Sequence, residues 1–250
     1  MEVLSRLFTA YQDLNLFKGV KVARTVPEIS HLLFADDIFI FCKATSEDLL
    51  TIKAILDLFS DLSGQDINFF KSGIHFSRNV SSLDKANLCS VLGIKEMSKD
   101  AIYLGTNLFH GRSKVKELDS VVQRIQNKLS SWKSKFLSFA GRSVLIKSIL
   151  AFTPAYLMNC FEFPIKICRS IDSIYLNFWL GNYGAQKKPV FIAWDRMCNS
   201  KSLGGLGFRK AEHHNKALLM KLGWRLLTDQ SALWARVLKL SPLFSKILLV

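Results

Sequence analysis

The chain has 250 residues, 49% of them hydrophobic and 22% charged, and carries a formal net charge of +14. That length is enough to bury a sizeable core, as one large domain or two small ones, and the composition excludes a disordered chain. So basic a protein usually meets a polyanion, nucleic acid first and an anionic membrane surface second.

Val3, Leu4, Leu7, Phe8, Tyr11 and Leu14 recur at helical spacing, which predicts an opening amphipathic helix. The start, MEVLSRLFTAYQDL, is acidic at position 2 and lacks the form of a secretory leader. Gly19 and Pro27 bracket a segment expected to be extended, Val20 to Val26. Next comes HLLFADDIFIF, residues 31–41, in which two strand-like runs, 31–35 and 38–42, flank an aspartate pair. The pattern predicts a hairpin with Asp36 and Asp37 at or beside its turn.

Thr45 and Ser46 are N-cap candidates ahead of the stripe Leu49, Ile52, Leu56 and Phe59, and Gly64 supplies the stop. Ile67 to Ser77 is expected to be extended, and Leu83 to Leu92 helical, ending at Gly93. From Ser113, apolar residues spaced 3 or 4 apart (Val115, Leu118, Val122, Ile125, Leu129, Trp132, Phe136) predict one long amphipathic helix over 113–138. Further helices are expected from Ser143 to Phe152 and from about Ala211 to Leu227, with Gly204-Gly205-Leu206-Gly207 as a turn. The longest apolar run, Ile149 to Phe163, is interrupted by Pro154 and Glu162 and is too short to span a bilayer. With no leader and no span in the sequence, the expected location is intracellular, nuclear or cytoplasmic, with no membrane partner.

The charge is unevenly divided. Residues 1–100 hold 11 Lys+Arg against 13 Asp+Glu, whereas residues 101–250 hold 23 against 7. The five cysteines are scattered, with no CxxC pair and no zinc-finger spacing, so reduced thiols are expected. Cys198, His213 and His214 read as structural, because adjacent histidines on a helix point apart. The five tryptophans, Trp132, Trp179, Trp194, Trp224 and Trp234, read as core residues.

The residues alone leave two readings of Asp36-Asp37. The pair is either a solvated turn or a rigid carboxylate edge that binds a hard divalent cation. On the long helix Lys114, Lys116, Arg124, Lys128, Lys133 and Lys135, followed by Arg142, form either a phosphate-binding surface or a solvated basic face.

HLLFADDIFIF resembles the catalytic motif of reverse transcriptases of non-long-terminal-repeat (LINE-type) retrotransposons, especially those of plants. LSGQDINFFKSGIHFS (Leu62–Ser77) resembles that family's next palm motif, and YLG (Tyr103–Gly105) the segment near its primer grip. WKSKFLSFAGRSVLIKSILAFTPAYLMNCFEFP (Trp132–Pro164) resembles its thumb and connection region. WDRMCNSKSLGGLGFRKAEHHNKALLMKLGWRLL (Trp194–Leu227) resembles the segment downstream of the thumb in plant elements. The resemblance implies an α+β fold: a partial polymerase palm with a catalytic β-hairpin over residues 1–108, then a mainly helical, basic thumb, connection and downstream region over 109–250.

It also implies RNA-directed DNA synthesis on an RNA template and DNA primer, with Mg²⁺ as cofactor. Asp36 and Asp37 would be the catalytic metal ligands, and Phe34 and Ala35 would shape the hairpin beside the primer end. Lys71 would sit near the incoming triphosphate, or be a surface lysine at a strand end, and Tyr103 and Gly105 would lie on the primer side. The family's upstream aspartate and template-contacting segment have no match here; neither Asp13 nor Glu28 fits the lost motif. The metal site is therefore expected to be incomplete and the chain inactive alone. The alternative is a non-enzymatic nucleic-acid-binding remnant of a decayed element; a third possibility is a product that does not fold stably.

Overall fold

A computed structural model describes residues 1–24, 26–98, 101–103, 106–108, 114–131, 137–182 and 189–240. The chain divides into two units, residues 1–101 with 230–240 and residues 102–229. The fold is α+β and dominated by helix, with the described strands limited to three two-stranded sheets. Among the described residues no helix is long and apolar enough to cross a membrane.

The first unit opens on α1 (Glu2–Asp13), which buries Leu4 and Phe8 and leaves its polar positions outward. The segment after it is not the predicted extended run. Val20 and Ile29 form an isolated antiparallel bridge, and the Glu28 carboxylate accepts from Gly19 N and Gln12 Nε2, so residues 20–29 form a loop closed at its base. The hairpin comes next, β1 (His31–Phe34) and β2 (Asp37–Ile40).

Then α2 (Ser46–Ser63) starts where Thr45 Oγ1 accepts from Asp48 N and stops at Gly64, whose φ of 67° is left-handed, as the cap pattern predicts. Of its buried stripe, Ile52, Ile55, Leu56 and Phe59 pack on Leu4, Phe8 and Phe17, whereas Leu49 packs on Phe76 and Leu88. Each such side chain contributes about 1.5–3 kcal/mol on burial.

Ile67 to Ser77 departs from expectation too. Asn68 Oδ1 accepts from Lys71 N and turns Phe69–Lys71 into one 3₁₀ turn, so only β3 (Gly73–Ile74) is strand. Through α3 (Ser82–Leu92), β3 pairs in parallel with β4 (Lys95–Glu96), a minimal βαβ unit.

The second unit begins with the short hairpin β5 (Ile102–Tyr103) and β6 (Thr106–Asn107). The rest is helical. Of the predicted long helix, Lys114–Ser131 forms α4, whereas Leu137 and Ser138, expected at its end, are not helical. Next, α5 (Phe139–Leu145) runs into a π turn over Ile146–Leu150. This helix begins earlier than predicted, because Ser138 Oγ accepts from Gly141 N and caps it. After it come α6 (Ala155–Cys160), α7 (Ile165–Leu180), α8 (Trp194–Cys198) and α9 (Ala211–Thr228). The final helix, α10 (Leu233–Leu240), falls with the first unit and buries Ala235.

Buried polar groups fix the second core. Asn215, at 2% exposure, accepts from Phe163 N (2.8 Å) and donates to Met158 O (2.8 Å) and Phe161 O (2.9 Å). Tyr175 donates to Leu150 O at 2.7 Å, satisfying a carbonyl at the end of the π turn. Asp172 accepts from Ala211 N at 2.9 Å and so caps α9 from a neighbouring helix.

Candidate functional site

Register determines what the hairpin presents. Phe34 is opposite Asp37, Leu33 opposite Ile38, Leu32 opposite Phe39 and His31 opposite Ile40. Directly opposed residues share a face, so Leu33, Ile38, His31 and Ile40 form one side and Leu32, Phe34, Asp37 and Phe39 the other. Ile38 and Ile40 pack on the first core. His31 anchors the same side: its ring stacks on Phe8 at 5.4 Å, Nε2 meets Ser5 Oγ at 2.7 Å and Nδ1 meets Ser30 Oγ at 3.0 Å. Burial lowers its pKa below the ordinary histidine value.

The tip between the strands is the two residues Ala35 and Asp36, with Ala35 at φ 52°. A non-glycine residue held there costs about 1–2 kcal/mol of backbone strain. The rigid strands impose it, and the result is a tight turn that carries Asp36 at its apex and Asp37 at the first position of β2. Both carboxylates are exposed. On the outward face Leu32 and Phe34 are also open, at 45% and 56% exposure.

Lys71 is exposed on its 3₁₀ turn, and among the described residues no hydrogen bond or ion pair joins it to either aspartate. Nor does any cluster of three or more His, Cys, Asp or Glu suited to a metal ion occur among the described residues. Asp36 and Asp37 supply two carboxylates, and no third ligating group joins them among the described residues. Tyr103 lies in the second unit, paired with Thr106 across β5 and β6, and Gly105 falls outside the described residues.

The expected basic surface is only partly assembled. On α4, Leu118, Val121 and Ile125 face the core, Arg124 is half-buried, and Lys128 is exposed with Nζ 3.4 Å from Thr153 Oγ1. Arg124 and Lys128 are one turn apart and share a face. Lys114 and Lys116 lie in the first turn of α4, and Lys133 and Lys135 are outside the described residues.

Arg142 contradicts its assignment to the phosphate-binding set. It is 7% exposed, its Nη1 donates to Trp179 O at 2.9 Å, and its guanidinium stands 5.4 Å from the Phe139 ring. It is a structural cation that satisfies the Trp179 carbonyl in the last turn of α7. Trp224, read as core, is 68% exposed on α9.

Not anticipated were Lys166 and Arg169, exposed one turn apart on α7. With Val122, Gln126, Ser170 and Ser173 they line an open groove of about 780 Å³ between α4 and α7. Their i, i+3 spacing on a helix was the available signal. The thiols are not poised for chemistry: burial and nearby carboxylates push Cys42 and Cys168 up to about 11 and Cys198 up to about 12.

No family model matches the chain. It is similar to an Arabidopsis thaliana protein named "Putative ribonuclease H protein", with 37% identity over 119 residues, covering 48% of this chain and 19% of that protein. A second Arabidopsis thaliana relative, named "Uncharacterized mitochondrial protein", is 34% identical over 87 residues, covering 34% of this chain and 56% of that protein. The matches therefore span about a fifth and somewhat over half of these two relatives.

Proposed function

We propose that this chain derives from a plant retroelement and forms the rear palm and helical thumb of a LINE-type RNA-directed DNA polymerase. The observation that carries the reading is the hairpin: a strained two-residue tip holds adjacent, exposed carboxylates on a strand pair pinned to a core. The excess of 23 Lys+Arg over 7 Asp+Glu after residue 100 supports a polyanion as partner. The ribonuclease H name of one relative is consistent with this, since a ribonuclease H acts on the RNA–DNA hybrid that such a polymerase makes.

Asp36 and Asp37 would hold a divalent cation, whose chemistry is to neutralise charge on a phosphate group. The second unit would bind the sugar–phosphate backbone through exposed cations, with affinity that falls steeply with salt. Residues 1–250 alone are expected not to extend a primer, because two carboxylates do not complete the site.

The test is a Mn²⁺ titration of the full chain bound to a DNA primer on an RNA template. Replacing both aspartates by asparagine is expected to weaken Mn²⁺ binding at least tenfold and leave nucleic-acid affinity in EDTA undiminished. Mn²⁺ binding that ignores the double substitution would remove the polymerase reading. The second reading, a nucleic-acid-binding remnant with no metal function, would then stand; the absence of a third ligating group among the described residues favours it.

A further inference from the structure

We propose that the second unit carries a stacking site for single-stranded nucleic acid, built on Phe152 and Arg209, with Lys147 and Lys128 on the residues adjoining that pair; the inference rests on the reading that this unit binds nucleic acid. Phe152 comes just after the π turn and remains 53% exposed. The Arg209 guanidinium stands over its ring at 5.0 Å, and the His214 ring meets it edge-on at 6.3 Å and 86°. Arg209 adjoins Phe208, a buried residue stacked on Trp194 at 5.3 Å, which fixes this part of the loop before α9. Lys147 Nζ lies 5.6 Å from the Phe208 ring, and Lys128 reaches Thr153, the residue after Phe152.

One cation, Arg209, thus stands over the open ring, and two more, Lys147 and Lys128, contact the residues next to this pair, Phe208 and Thr153. Among the described residues no carboxylate forms an ion pair with Lys147 or Arg209. An apolar ring half in water with a guanidinium over one face suits a ligand with both a flat π face and an anionic backbone. A nucleotide of an unpaired strand has both: its base can stack on the ring face opposite Arg209 while neighbouring phosphates meet the cations. A duplex offers the phosphates but keeps its bases stacked on one another.

Stacking and charge leave different signatures. A base contact contributes affinity without releasing counterions, whereas each phosphate contact on a single strand adds about 0.7 to the slope of log K against log salt. The experiment is fluorescence anisotropy of the full chain in a KCl series, with an oligothymidine, an abasic strand of equal length and a duplex as probes.

Phe152→Ala is expected to weaken oligothymidine binding by about 5- to 150-fold with an unchanged salt slope, and to leave abasic strand and duplex unaffected. Phe152→Trp should keep or tighten binding. Arg209→Gln and Lys147→Gln should each lower the slope by about 0.7. Phe191→Ala, at a site 88% exposed in the same unit, is the control.

Equal losses on oligothymidine and the abasic strand, or a loss no larger than that of Phe191→Ala, would overturn the stacking site. So would a Phe152 effect confined to anionic vesicles. If the wild-type chain bound none of the three nucleic-acid probes, the parent reading would fall with it.

Discussion

Asn215 offers the sharpest test of how the helical unit is held. Its amide is 2% exposed, and one side chain serves three backbone groups: Phe163 N, Met158 O and Phe161 O. Asn215→Leu keeps the branching at Cγ, enlarges the side chain by roughly one to two methylenes and removes all three bonds. The buried Phe163 N–H then lacks a partner, at about 1–3 kcal/mol, and the two carbonyls lose a donor each, at about 0.5–1.5 kcal/mol apiece. The Phe161 carbonyl is the less buried of the pair, so its share is the smaller. The expected destabilisation is about 3–5 kcal/mol, which lowers Tm by about 10 °C or more for a unit of this size.

Asn215→Asp sharpens the test. It keeps an acceptor for Phe163 N but points a second oxygen at two carbonyls, so its folded-state pKa is raised. Such a group is least damaging while protonated, and its penalty grows as pH rises through the unfolded carboxylate value of about 3.9. Urea unfolding followed by tryptophan fluorescence should therefore show a larger loss at pH 7 than at pH 4. A loss under about 1 kcal/mol for Asn215→Leu, well below the sum expected from the bonds, would refute the reasoning.

Three further outcomes rest on particular contacts. Arg142→Met should destabilise the second unit by about 2–3 kcal/mol, since a charge-assisted bond to Trp179 O is lost, yet leave the salt slope of nucleic-acid binding unchanged; a reduced slope would return Arg142 to the phosphate-binding set. Gly181→Ala should cost more than about 1 kcal/mol, because φ is 70° and the added carbon would meet Arg142 Nη1 at 2.5 Å; thermal denaturation decides it. The first unit should hold its full His31 contribution above the unfolded histidine value of about 6.5 and lose it on acidification through the lowered folded value, because burial disfavours the imidazolium. His31→Gln should flatten that dependence in denaturation curves taken from pH 8 to 5.

The elements legible in the sequence are those whose ends are written in local chemistry. Thr45 and Gly64 bound α2, and Ser81 and Gly93 bound α3, because a hydroxyl acceptor and a left-handed glycine act within one turn. The hairpin was legible because two short, continuous apolar runs rich in Leu, Ile and Phe flank the polar turn residues. Legibility failed where distant partners decide. Glu28 closes the loop after α1 from eight or more residues away, and nothing in Val20 to Val26 announces it.

Arg142 looked like its exposed neighbours in sequence. Its position is decided by the carboxyl end of α7, 37 residues further on. The basic surface suffered in the same way: Lys128, Lys147 and Arg209 form a neighbourhood only after α4, the π turn and the loop before α9 have packed.

The separation of charge along the chain bears directly on how the two carboxylates could work. Cations around Phe152 and along the groove between α4 and α7 attract phosphates over a Debye length of about 8–10 Å at ordinary salt. Asp36 and Asp37 repel any phosphate that comes within that same distance of them. An exposed acidic pair on a strained, rigid tip is therefore a cost to binding unless a cation bridges it to the ligand. This gives the carboxylates a sign that a merely solvated turn lacks. Without divalent ions, neutralising the pair should leave nucleic-acid affinity unchanged or raised, and with Mg²⁺ or Mn²⁺ the same substitution should lower it. A turn with no metal function would show the first effect and never the second.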